Sequence, residues 1–185
     1  MKVRKFLFAG ALIVASLFSV NSVMAESTPS ETDQVTVNIK LNPIQTITVN
    51  HESVLIEYIT KDDYNDGVSK KMDNHLTVFS TGGFEVQVKA NSNFIRSEET
   101  DYIPASDVII RPTALDGYTV SETNLEVNSY KPIITSENGG RDISFGITYD
   151  NTQGGGDKYI DKYDDKDVTK DNTFTAKVEY LIVAA

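Results

Sequence analysis

Apolar and polar residues alternate with period two along much of this chain. Val35, Val37, Ile39 and Leu41 are separated by Thr36, Asn38 and Lys40. The same period returns at Ile47 and Val49, at Val54, Ile56 and Tyr58, at Leu76, Val78 and Ser80, and at Phe84, Val86 and Val88. It is clearest near the end, in Ile143, Phe145, Ile147 and Tyr149, and then in Phe174, Ala176, Val178, Tyr180 and Ile182. Side chains two apart share one face of a strand, so each run predicts a half-buried β-strand. Shorter apolar runs at 108–110, 118–120 and 133–134 predict three more. Turn signals divide the runs: Asn42-Pro43, Asn65-Asp66-Gly67, Thr81-Gly82-Gly83, Asp116-Gly117 and Asn138-Gly139-Gly140. The Gly-Gly pair at 82–83 predicts a hairpin between its flanking strands.

Two stretches lack the period. Residues 61–74 and 150–172 are polar and predict loops, the second carrying three consecutive glycines at 154–156. Outside the N-terminal segment no apolar stripe supports a helix of three turns. Many short strands with frequent turns predict an all-β fold, an Ig-like antiparallel β-sandwich.

The first residues change the picture of where this domain works. Met1-Lys2-Val3-Arg4-Lys5 is a basic head, Phe6 to Val20 is apolar apart from Gly10, Ser16 and Ser19, and Val23-Met24-Ala25 places small residues at a cleavage position. Residues 1–25 therefore predict a secretory signal peptide rather than a membrane span. Residues 26–33 predict a flexible leader, and 34–185 a single sandwich domain. The first 25 residues hold three of the 17 basic residues and none of the 27 acidic ones, so their removal takes the net charge from −10 to −13. That sign disfavours nucleic acid and anionic lipid as partners. The apolar C-terminus, Tyr180 to Ala185, is too short to span a bilayer, so no transmembrane segment is expected in the mature chain. The sequence has no cysteine, which removes disulfides and thiol chemistry.

Candidate chemistry is sparse. The chain has two histidines, His51 and His75. Both stand apart in sequence, and His75 reads as a strand-edge residue. No nucleophile elbow, metalloprotease helix or phosphate loop occurs, so no enzyme and no catalytic residue is expected. Asp161, Asp164, Asp165, Asp167 and Asp171 supply dense oxygen donors of the kind Ca²⁺ takes, without the spacing of the helix–loop–helix motif. No other cofactor is expected. Tyr159 and Tyr163 in the same insertion are candidates for stacking on a ligand.

The alternating strand at 35–41 and the closing strand Phe174-Ala176-Val178-Tyr180-Ile182, which contains the run Thr175-Ala176-Lys177-Val178-Glu179-Tyr180, resemble the terminal strands of exported bacterial β-sandwich subunits, the chaperone–usher pilins and the spore-coat-protein-U-like proteins. The closing run is also similar to that of cell-wall-associated WxL domains. The chain departs from these families in having neither the disulfide of many pilins nor the Trp of WxL domains. The resemblance implies a structural or adhesive subunit in the periplasm or on the cell surface. Val35, Val37, Ile39 and Leu41 would act as a donor strand completing a neighbouring copy or a related surface subunit. The competing reading is a monomeric secreted binding module using loops 61–74 and 150–172, for a glycan or a protein, or stabilised by Ca²⁺.

Overall fold

The computed structural model describes residues 32–96, 101–163 and 172–185. The sandwich is built from the unit Lys40–Ala185. Its strands are β1 (Gln45–Val49), β2 (Val68–Ser80), β3 (Phe84–Ala90), β4 (Phe94–Ile95), β5 (Tyr102–Ile103), β6 (Ile109–Pro112), β7 (Thr119–Val120), β8 (Thr123–Asn124), β9 (Lys131–Ser136), β10 (Gly140–Asn151) and β11 (Val178–Ala184). One sheet has the order β1-β2-β10-β6-β8 and the other β11-β3-β9-β7, with β4 and β5 as a small separate pair. Neighbours in these sheets are antiparallel. The fold is thus the all-β sandwich that the period predicts.

The period also places the core. Leu76 and Val78 from β2, Phe145 and Ile147 from β10, and Phe84, Val86 and Val88 from β3 are all buried, together with Ile133 and Ile134 of β9. These residues project from facing strands of the two sheets, and burying them is the main favourable term in the fold. Among the described residues no helix is long and apolar enough to cross a membrane.

The expected hairpin around Gly82-Gly83 is not one. β2 and β3 follow each other in sequence but belong to opposite sheets, so residues 81–83 arch across the core. β9 and β10 are joined by a second arch of the same kind at residues 137–139. Both strands at each arch carry apolar residues that must enter one core, and facing sheets satisfy this where a hairpin would lay them side by side. The two arches share a turn. Ser80 Oγ donates to Gly82 O at 2.7 Å and Ser136 Oγ donates to Asn138 O at 2.9 Å. They stack closely: a Cβ on Gly139 would lie 2.4 Å from the carbonyl oxygen of Ser80.

The stretch expected to be a loop at 61–74 is also different. Lys61–Asp66 is a helix, α1, and Val68 onward is strand. Thr60 and Asp63 form a reciprocal cap: Thr60 Oγ1 accepts from the Asp63 N–H, and Asp63 Oδ2 accepts from the Thr60 N–H at 2.7 Å. These bonds to Thr60 and Ile59 hold the Asp63 carboxyl below its usual range. The polar first half of β2 is strand because the 12-residue β10 supplies its ladder through Asn151↔Val68.

Conversely, two expected strands carry no ladder. Residues 35–41 have no strand assignment in the chain. Residues 51–59 keep their alternation, with Val54 and Ile56 packed against the core, yet form no strand. The Gly139 geometry predicts that Gly139→Ala costs about 1–3 kcal/mol through overpacking. Gly82→Ala, where a Cβ would meet nothing within 4 Å, should change stability by less than about 0.5 kcal/mol. Urea unfolding of the two variants checks the contrast.

Candidate functional site

The two polar stretches singled out in the sequence meet at one end of the sandwich. The Gly156 N–H donates to Asn65 O at 2.7 Å, and the Asp157 N–H donates to Tyr64 O at 2.9 Å. The C-terminal glycine of α1, Gly67, has φ +74°, and a Cβ there would lie 2.5 Å from Thr152 Cα. Glycine is therefore required both for the backbone conformation and for the close approach.

A buried polar knot holds this end together. Asn151, the last residue of β10, donates from Nδ2 to Asp107 O at 2.9 Å and accepts at Oδ1 from the Tyr58 hydroxyl at 2.6 Å. Tyr159 donates its hydroxyl to Asp107 Oδ2 at 2.7 Å, and Lys158 Nζ sits 2.7 Å from Asp107 Oδ1. Each oxygen of this buried carboxylate thus has a donor. Burial raises the Tyr58 hydroxyl to about 12 and pushes that of Tyr159 up further, so both are donors at neutral pH.

Tyr159 is therefore not a free stacking surface: it is 6% exposed and occupied by Asp107. The reason is local. The three glycines at 154–156 let the chain fold back, and a Cβ on Gly154 would clash with both Tyr159 and Tyr58 at 2.4 Å. Tyr163 does face solvent, 62% exposed. Asp161 is exposed. Asp164, Asp165, Asp167 and Asp171 lie outside the described residues. Among the described residues no three His, Cys, Asp or Glu side chains form a metal-binding group.

Arg96 closes the base of the insertion. Its Nη1 donates to Lys162 O at 3.2 Å and to Asn172 Oδ1 at 2.8 Å, while the guanidinium lies 5.3 Å from the Phe174 ring centroid. One buried cation thereby ties both ends of the acidic segment to the sandwich. Beside it is a cleft of about 390 Å³ lined by Asp101, Tyr102, Pro104, Lys158, Tyr159 and Lys162. Lys162 Nζ pairs with Asp101 there.

The donor-strand candidates stand in the opposite state from the knot. Val35, Val37, Ile39 and Leu41 are 86%, 77%, 85% and 88% exposed. All four apolar positions of the alternating run face solvent.

His75 is the residue whose expected place the structure corrects. His75 is 1% exposed, not at a strand edge. Where β10 steps from Phe145 to Ile147, β2 steps from Leu76 to Met72, and Asn74 within this bulge has φ +52°. A bulge puts extra residues on one strand and shifts the side-chain alternation. His75 and Leu76 consequently both enter the core. His51, 24 residues earlier, reaches it: the two Nδ1 atoms are 3.2 Å apart and the rings stack with centroids 5.3 Å apart. On its other side His75 Nε2 is 2.9 Å from the Tyr149 hydroxyl, which is 2.8 Å from that of Tyr180. Burial, and then the neighbouring His51, hold the His75 imidazole below its ordinary value, so it is neutral at pH 7. Burial raises the Tyr149 hydroxyl to about 12. No sequence period signals this cluster, because a bulge is invisible to it. The capping pair Thr60-x-x-Asp63, by contrast, is a local signal that the sequence itself carries.

No protein-family model matches the sequence, and no curated protein matches it either.

The knot predicts different outcomes for the two tyrosines of the insertion. Tyr159→Phe removes one donor to buried Asp107 and should cost about 1–3 kcal/mol. Tyr163→Phe should leave stability within about 0.5 kcal/mol. Thermal melts of the two variants against the parent protein measure the difference.

Proposed function

We propose that this protein is an exported structural or adhesive subunit that assembles by strand donation, with residues 35–41 of one copy adding to a sheet edge of the next. The observation that carries this reading is the state of that run. Four apolar side chains alternate as a strand requires, are 77–88% exposed, and carry no strand assignment among the described residues. Exposing them to water is unfavourable, and pairing both satisfies the backbone and buries one face.

The sandwich offers an edge of the right length. β7 and β8, the last strands at one side of the two sheets, have two residues each. Very short edge strands are how proteins blunt unwanted pairing. β11, at the opposite side, has seven residues and, among the described residues, pairs with β3 alone. Residues 35–41 are also seven, so one donor covers the whole edge. The basic and apolar N-terminal segment supports export, and the absence of any cysteine is compatible with a fibre held by backbone hydrogen bonds alone.

A second reading, a binding module, draws support from one observation: α1 and the 150–163 segment converge beside the cleft at Lys158 and Lys162. The two readings call for different surfaces, so one experiment separates them.

Light scattering of residues 26–185, beside a copy that starts at residue 42, tests the first reading. The longer chain should form concentration-dependent multimers and the shorter one should be monomeric. The double variant Val37→Asp, Ile39→Asp should behave as the shorter chain. A strictly monomeric longer chain would remove strand donation and leave the loop end as the surface to pursue.

A further inference from the structure

We propose that His51 and His75 form a binding site for a divalent transition-metal ion of the zinc or copper class. The site uses imidazole nitrogens rather than the carboxylates of the acidic segment, which would take hard cations, and it does not depend on strand donation.

Four observations converge on it. The chain's two histidines, 24 positions apart, are brought together with Nδ1 facing Nδ1. The 3.2 Å between those atoms is the span of two metal–nitrogen bonds: at about 2.0–2.1 Å each, they would meet at roughly 100°, close to a tetrahedral angle. Imidazole is the ligand these ions favour over carboxylate-rich alternatives. The far nitrogen of His75 has a hydroxyl partner, Tyr149, backed by Tyr180. A ring N–H directed to an outer partner is what fixes the tautomer of a metal-bound histidine. Access completes the arrangement: His75 is buried, but His51 lies on the exposed side. The remaining coordination positions are therefore open to water or to a group from another molecule.

The proton accounting is simple. The chain His51–His75–Tyr149–Tyr180 can run in either direction without an ion. A metal selects the direction in which His75 Nε2–H donates to Tyr149 and Tyr149 donates to Tyr180. His75 Nδ1 then offers its lone pair. His51 moves its proton from Nδ1 to Nε2 and offers the same atom, so two neutral imidazoles bind the ion with no net proton loss. The bulge at Asn74 is what makes this geometry, since without it His75 would point to the opposite face of β2.

The test uses the protein as the cell produces it, stripped with a chelator and titrated with ZnCl₂ against a chromophoric competitor. The nitrogen-15 resonances of the imidazoles are followed in parallel. One saturable equivalent should bind, with the Nδ1 signals of both histidines shifting together. His51→Ala, which removes the exposed ring of the pair, should weaken binding by roughly 10–100-fold or more, since even loss of an outer partner has that effect. Tyr149→Phe should weaken it by a smaller factor and keep the stoichiometry. Unmoved imidazole signals at saturating zinc would overturn the proposal. So would an equivalent that binds His51→Ala as tightly as the parent, which would place the ion on carboxylates. CaCl₂ at the same concentration should leave both imidazoles unchanged.

Discussion

The β2–β10 ladder is the element on which the rest of this structure depends. It runs from Gly140↔Ser80 to Asn151↔Val68 and occupies the centre of its sheet. At one end it begins beside the two stacked arches, where Ser80 and Gly139 touch. At the other it delivers Asn151 into the knot with Tyr58, Asp107 and Tyr159. Between them its bulge turns His75 inward. With no disulfide available, these three regions are coupled through the backbone hydrogen bonds of one strand pair and the apolar face beneath it.

Polar groups inside the sandwich follow from that ladder. Leaving a buried donor or acceptor unpaired costs more than its pairing returns, so buried polar side chains come as completed sets. Asp107 has donors on both carboxylate oxygens. His75 has a partner at each ring nitrogen. Among the described residues no buried side-chain nitrogen or oxygen lacks a hydrogen-bond partner. The two ends of the acidic segment meet on Arg96 for the same reason: a buried guanidinium needs acceptors, and Lys162 O and Asn172 Oδ1 supply two.

The contrast between the two ends of the chain has one physical origin. Both 35–41 and 178–184 alternate, but Val178, Tyr180 and Ile182 pack on the core while Val35, Val37 and Ile39 face water. β11 lies in a sheet because β3 offers it a seven-residue register, Ala184↔Phe84 to Val178↔Ala90. Among the described residues, the sheets include no strand at residues 35–41. A second copy would supply one, and this is why strand donation is the reading we favour.

Period two along the chain determined the class of fold, most of the strands and most of the core, because alternation records which face of a strand meets water. Phe84, Val86, Val88, Phe145 and Ile147 were legible in this way. It did not determine partners: whether a strand pairs with its neighbour in sequence or arches to the other sheet depends on where its apolar face must go, and residues 81–83 are compatible with both. It was silent where polar residues became strand, as in Ser69 to Asn74, since the ladder there is imposed by β10. It misplaced His75 because the bulge between Leu76 and Met72 breaks the alternation locally, at the residues it adds to β2. The tertiary structure alone decided the His51–His75 contact and the burial of Tyr159, both of which join residues from separate segments through geometry that no local pattern encodes.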